Sequence, residues 1–274
     1  MTISVVFSLQ LLVLGKSFSG VGRRLLLCHG NFSKWRLLSH TEDVTSALLS
    51  PGLVVASLVT SVLRVWRLGR AGGVGECQEF SLEAGLQLRV QGDSLYLLTR
   101  EGGLLVFHLV LGRVTRQILP PQAGRFLTFD VERGLLAGGC TDRHVHVVSL
   151  VENKLVHRLR PGAGLPAAGC LVLARPLLVS AGEAGIDVFH VRRGQLLHRL
   201  TSGPGRLCSL LVRSDIIIAG DVRGNVLKWD LTEQTAVEAE TLTTMSDAIR
   251  GIHLNNSSLT AVSFDASCLV WNFW

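Results

Sequence analysis

The 274-residue chain has one tyrosine, two methionines and four lysines (Lys16, Lys34, Lys154 and Lys228), so its net charge of +6 rests almost wholly on arginine. The arginines are scattered, and with so little tyrosine there is no interleaved basic and aromatic surface of the kind that tracks and stacks nucleic acid. Nucleic acid is not expected as a partner; a mild positive balance favours acidic or phosphorylated ones. Charged residues make up only 18% and hydrophobic residues 47%, which excludes a disordered chain. No two of the six cysteines (Cys28, Cys77, Cys140, Cys170, Cys208 and Cys268) form a CxxC pair, so a structural zinc site has no local support. Most lie in apolar runs such as "AAGCLVLA" and read as buried free thiols in a reducing compartment, the cytoplasm or nucleus.

The N-terminal run "ISVVFSLQLLVLG" (Ile3–Gly15) has 13 residues, too short for a membrane-spanning helix, and no membrane span is expected. Val5, Val6 and Phe7 favour a strand. The alternative is a signal-peptide core, against which stand the uncharged "MTIS" and the lack of an A-x-A site. The glycosylation patterns "NFS" (Asn31–Ser33) and "NNSS" (Asn255–Ser258) carry meaning only with secretion. No G-x-S-x-G, P-loop, HExxH or complete GxGxxG is present, so neither an enzyme nor a cofactor is expected. "AGGVGE" (Ala71–Glu76) is glycine-rich but reads as a loop between strands. His144 and His146 stand two apart on a strand and share a face, but no third metal ligand is evident, so no metal is expected.

What is present is a repeat. "KLVHRLRPG" (Lys154–Gly162) returns as "QLLHRLTSG" (Gln195–Gly203), with the His-Arg-Leu cores 41 residues apart. Seven apolar runs carry a marker near their end: Trp35, Trp66, Phe107, Val148, Phe189, Trp229 and Trp271, with gaps of 31, 41, 41, 41, 40 and 42. The unit from Arg125 divides into four strand-like runs, "RFLTFDV", "GLLAGGC", "HVHVVSL" and "KLVHRLR". The first two are almost wholly apolar; the last alternates, with Leu155, His157 and Leu159 on one side, as a half-exposed outer strand does. Four strands in each unit of about 40 residues is the arithmetic of a propeller blade. Six residues before the marker stand Glu101, Asp142, Glu183 and Asp265, turn carboxylates placed to accept backbone N–H groups, and "RGN" (Arg223–Asn225) fills that slot in the sixth unit.

"IIIAGDVRGNVLKWDL" (Ile216–Leu231), ending in Trp229-Asp230, resembles the second and third strands of a WD-repeat blade. "LLAGGCTDRHVHVVSL" (Leu135–Leu150) is similar, with Val148 where the family prefers Trp. The resemblance implies one all-β propeller of about seven blades over residues 25–274, the first blade irregular because its 31-residue gap is one strand short. Residues 1–24 form an N-terminal segment. In the family such a strand often completes the last blade, and here Ile3–Leu9 beside Leu269–Phe273 would close the ring. The family's Gly-His pair is missing from every unit, so its His–Ser–Trp–Asp network is not carried over and rigidity is expected mainly from apolar packing.

The resemblance implies a non-catalytic platform for binding other proteins. The substrate receptor of an F-box/WD-repeat ubiquitin ligase is one alternative, and a propeller enzyme with a channel-mouth site is another. Arg125, Arg206 and Arg250 each stand at the start of a unit's first strand and are the candidate binding residues. Their planar guanidinium forks suit carboxylate or phosphate.

Overall fold

The computed structural model describes residues 9–14, 24–29, 34–38, 44–50, 52–69, 74–121, 124–162, 164, 170–203, 205–232, 238–254, 258–265 and 267–272. Side chains are described from Val44 on, except those of Leu49 and Asn272. These residues form strands and turns, with no helix among them. The first sheet has three strands in the order β1 (Leu9–Leu14), β2 (Arg24–His29), β3 (Lys34–Leu38). Five four-stranded meanders follow: β4 (Val44–Ser50), β5 (Leu53–Leu58), β6 (Val62–Leu68) and β7 (Val74–Ser81); β8 (Gln87–Gln91), β9 (Ser94–Leu98), β10 (Leu104–His108) and β11 (Arg113–Ile118); β12 (Phe126–Glu132), β13 (Leu135–Cys140), β14 (Val145–Ser149) and β15 (Lys154–Leu159); β16 (Leu171–Ala174), β17 (Leu177–Ala181), β18 (Ile186–His190) and β19 (Gln195–Leu200); β20 (Leu207–Arg213), β21 (Ile216–Asp221), β22 (Asn225–Asp230) and β23 (Glu240–Thr244). The last sheet, β24 (Ile249–Leu254), β25 (Ser258–Ser263) and β26 (Cys268–Asn272), has three strands.

The chain divides into two compact units, Met1–Arg100 with Phe107–Val114, and Glu101–Val106 with Thr115–Trp274. Composition explains the layering within each. The second strands, such as "LLAGGC" and "LLVSA", are apolar but for Ser180 and buried on both faces. The fourth strands, such as β15 and β19, mix polar and apolar residues and lie largely exposed until a buried last leucine. In the second unit the inner strands of successive sheets lie side by side, and a core of Val179, Ile186, Leu200, Leu207, Ile217 and Trp229 joins two neighbouring sheets. At about 25 cal/mol per Å² of apolar surface removed from water, such clusters are the main favourable contribution to folding.

The markers Trp66, Phe107, Val148, Phe189 and Trp229 are all buried, Trp229 to 1% exposure. Trp271 is only partly buried, because β26 is the last strand of a three-stranded sheet and no fourth strand covers it among the described residues. Trp35 lies on β3, where the backbone alone is described.

At the N-terminus β1 pairs with β2, Leu9 facing His29 and Leu14 facing Arg24. Residues on both sides of position 24 therefore share one sheet. Among the described residues that sheet has no fourth strand, in keeping with the short first gap. Ile3–Ser8 lie outside the described residues, as do Phe273, Asn31 and Asn255, so ring closure and the glycosylation patterns do too. Val74–Glu76 open strand β7, a correction to the loop expected there: apolar Val74 pairs with Leu68 across the sheet.

The twin His-Arg-Leu phrases do occupy one place. His157 faces Val147 and His198 faces Val188, each one residue before its marker. The expected alternation does not survive, because β-bulges at Val156 and Leu197 put one extra residue into each outer strand and exchange its faces.

Candidate functional site

The inner strands β12 and β20 start alike. Phe126 pairs with Cys140 and Leu207 with Asp221, while the carbonyls of Arg125 and Arg206 accept the N–H groups of Thr141 and Val222, just past those pairs. Both arginine side chains are exposed. Arg250 is not their counterpart. In the last sheet Ile249 pairs with Ser263 and Ala248 accepts from Phe264, so Ala248 holds the equivalent place. The spacing carries the same message: Arg125 and Arg206 stand 23 residues before their markers, and Arg250 only 21 before Trp271. Arg250 is instead a bulge residue, half-buried, with its guanidinium 5.7 Å from the centre of the Phe264 ring. Exposed apolar side chains accompany the arginines: Leu127, Val222 and Phe264.

The same bulge recurs after the first pair of β4, β12 and β20, at Thr45, Leu127 and Cys208. Two of these residues tie sheets together. Thr45 Oγ1 lies 2.9 Å from the Ser57 carbonyl of its own sheet and 2.9 Å from that of Gly85, which leads into β8. The Cys208 thiol lies 3.4 Å from the Gly220 carbonyl and 2.8 Å from that of Ile249 in the next sheet. The Cys170 thiol donates to the Leu207 carbonyl at 3.6 Å. Burial pushes the thiol of Cys170 up to about 12 and that of Cys208 to about 11, so both remain protonated donors. Cys140 and Cys170 are buried as expected, but Cys77 and Cys268 are exposed because they sit on outermost strands. All five described cysteines are free.

Of the turn carboxylates, Asp142 and Asp265 accept the expected backbone bonds, from His144 at 3.1 Å and Ser267 at 2.8 Å. Glu101 and Glu183 are exposed and take no side-chain partner among the described residues. The reason is length: an Asp side chain folds back onto the amide two residues on, and Glu is one methylene too long. In the sixth unit Asp221, two positions before the expected slot, accepts the amides of Arg223 and Asn225 at 2.9 and 2.8 Å, and the Asn225 side chain as well. Sequence reading missed it because it is the last residue of β21 rather than a turn residue. Asp265 also accepts the Ser246 hydroxyl, and these donors hold its carboxyl well below the usual range.

Asp142 is the centre of a small network. Its Oδ2 lies 2.9 Å from His146 Nε2 and 3.3 Å from Arg158 Nη2. Burial raises its pKa, but the bonds from His146 and the His144 amide, with the charge of both imidazoles, outweigh burial and hold it below the usual value. Polar ties of this kind add to the apolar packing expected to supply most of the rigidity. Cys140, Asp142 and His146 bring ligand atoms within 4.8 Å of one another, a trio that sequence did not reveal and that leaves out His144, half of the pair it put forward. Burial and the Asp142 charge push the Cys140 thiol up to about 12, so it holds its proton beside the carboxylate, and a bound metal would have to displace that proton. A divalent ion would also have to displace His146 and Arg158 from Asp142. The set as it stands is a hydrogen-bonded carboxylate.

No family model and no curated protein matches the sequence. Solved structures do resemble the fold. A chain of the Mitotic Checkpoint Complex superposes with a TM-score of 0.78 at 11% identity, covering 97% of this chain and 84% of that one. The computationally designed Ika8 protein gives 0.69 at 14%, over 92% and 91%. The RRP9 WD40 repeats give 0.69 at 16%, over 85% and 77%. Six sheets, β4 to β26, follow the repeat, one fewer than the seven or so blades expected, and β1–β3 is the irregular seventh sheet. With its four-stranded meanders, its 41-residue spacing and these likenesses, the chain has the fold of a WD-repeat β-propeller.

Proposed function

We propose that the chain is a non-catalytic recognition platform, working in the cytoplasm or nucleus, that binds acidic or phosphorylated segments of other proteins. The observation that carries this reading is the shared register of Arg125 and Arg206. Each is exposed at the start of an inner strand with an exposed apolar residue close by, Leu127 two positions on from Arg125 and Val222 bonded to Arg206. Guanidinium forks beside apolar side chains suit a peptide that alternates carboxylates or phosphates with hydrophobic residues. Free thiols, two of them exposed, fit a reducing compartment. One structural neighbour is a chain of the Mitotic Checkpoint Complex, which accords with protein partners.

The test is affinity capture from cell extract, followed by mass spectrometry, with the wild type and the Arg125→Glu/Arg206→Glu variant. Loss of partners with an unchanged melting temperature is the expected result. Adding Arg250→Glu changes less, because Arg250 stands one pair further into its sheet. An unchanged partner list for the double variant overturns the reading.

A further inference from the structure

The opposite end of β12 carries a second basic site. Arg125 precedes this seven-residue strand and Arg133 follows it, about 25 Å away at about 3.3 Å per residue. There a cavity of about 480 Å³ is lined by Arg133, Arg175, Pro176, His190, Val191, Arg192 and Arg193. The lining comes from three turns of two sheets in the second unit: β12–β13, β16–β17 and β18–β19. Four arginines therefore line one opening. The carboxylate nearest them is Glu132, 3.8 Å from Arg133 Nε and accepting the Arg175 amide at 2.8 Å. Among the described residues no carboxylate pairs with the guanidinium of Arg175, Arg192 or Arg193.

Local structure holds this cluster in place. His157 Nε2 lies 3.1 Å from the Arg192 carbonyl, so the first His-Arg-Leu phrase reaches across and ties down the arginine turn of the next sheet. Gly194 closes that turn at φ +63°, and a Cβ there would strike the His157 ring. His190 Nδ1 accepts the Arg193 amide at 3.3 Å, which leaves the ring proton on Nε2, a further donor in the lining. Arg133 sits at φ +46° and Gly134 at +77°, the pair of left-handed residues that a two-residue hairpin needs. Asn or Gly suits the first of these positions and Arg strains it.

From this cavity we infer a binding site for a small, multiply phosphorylated anion. A single phosphate satisfies one or two forks, whereas four forks in a cavity of small-molecule size match a ligand with two or more phosphate groups. The shared chemistry is the polyphosphate cluster, free in solution or on a lipid headgroup. His157 is a positioning residue, acting through the Arg192 turn.

The full-length chain titrated calorimetrically with tripolyphosphate is the test. Binding is expected to weaken as salt rises, and Arg192→Ala/Arg193→Ala to weaken it about a hundredfold, roughly tenfold for each charge-assisted pair lost. Arg133→Asn separates binding from folding: Asn relaxes the turn, so the melting temperature holds or rises while affinity falls about tenfold. If the double alanine variant does not fold, Arg133→Asn and Arg175→Lys carry the test. Flotation with phosphatidylcholine vesicles containing a phosphoinositide distinguishes the sources. Capture that Arg192→Ala/Arg193→Ala abolishes assigns a lipid headgroup, and tripolyphosphate binding without capture assigns a free anion. No binding in either arm, or affinity unmoved by these substitutions, overturns the site and leaves the Arg125–Arg206 reading untouched.

Discussion

In the sheet β4–β7, Arg64 stands two residues before the buried marker Trp66 and pairs with Glu79 on the outer strand at 2.7 Å. In the sheet β16–β19, Asp187 stands two residues before the buried marker Phe189 and pairs with Arg199 on the outer strand at 2.8 Å. The register is the same and the polarity is reversed. In these two sheets the position takes a cross-strand ion pair of either polarity, whereas in four others it is filled by Leu105, His146, Leu227 and Leu269. The two pairs differ in burial of the inner member, 19% exposed for the Arg64 side chain and 0% for Asp187. Arginine lays its stem along the sheet and carries its charge outward. Aspartate has no such reach, so its partner must come to it. Arg199 does so across Gly162, where a Cβ would collide with the guanidinium. The second pair therefore depends more on its outer member than the first.

Both sheets are anchored by their buried markers, Trp66 and Phe189. Trp66→Ala and Phe189→Ala should each cost roughly 3–5 kcal/mol in reversible denaturation, and a loss below about 1 kcal/mol at either would show that the two registers are not equivalent. Next in size is Arg199→Ala, which leaves Asp187 buried with a bond missing, at about 1–3 kcal/mol. Reversing the pair tests polarity directly: Asp187→Arg/Arg199→Glu should be more stable than Asp187→Arg alone by about 1 kcal/mol, read from a double-mutant cycle. Glu79→Ala should change stability by no more than about 0.2–1 kcal/mol, since that pair is open to solvent. The smallest effect concerns Asp142. Its carboxyl is held below the usual value in the folded chain, so its contribution is complete above the unfolded carboxylate range and fades as pH falls through the folded pKa. Urea midpoints of wild type and Asp142→Asn should therefore differ at neutral pH and converge in acid; a constant difference would show that the carboxylate's charge is not what matters.

Much of the fold was legible because packing imposes periodicity. The unit from Arg125 was divided into four runs that became β12 to β15, and five markers proved buried. What was not legible depends on single-residue offsets. Arg250 looked equivalent to Arg125 and Arg206 until strand pairing placed Ala248 there. The bulge at Val156 exchanged the faces of an outer strand whose alternation had seemed regular. The arginine cavity gathers residues from three turns up to 60 positions apart in the chain, from Arg133 to Arg193, and no local motif announces it. The one local sign was Arg-Gly in a hairpin turn, where Asn-Gly would be at ease.

The bulge at the head of the inner strands has a consequence for how such a molecule changes over time. It releases one residue per sheet from the alternation that the core enforces on its neighbours. The four sheets in which it occurs hold Thr45, Leu127, Cys208 and Arg250 at that point, four side chains with nothing in common. Copies of one ancestral unit can diverge there without disturbing the pairs on either side, acquiring a staple in one blade and an exposed apolar or cationic group in another. For a designer it is an address: one position in each of these four sheets, at a known pair in the register, where new chemistry can be installed while the rest of the strand is left alone.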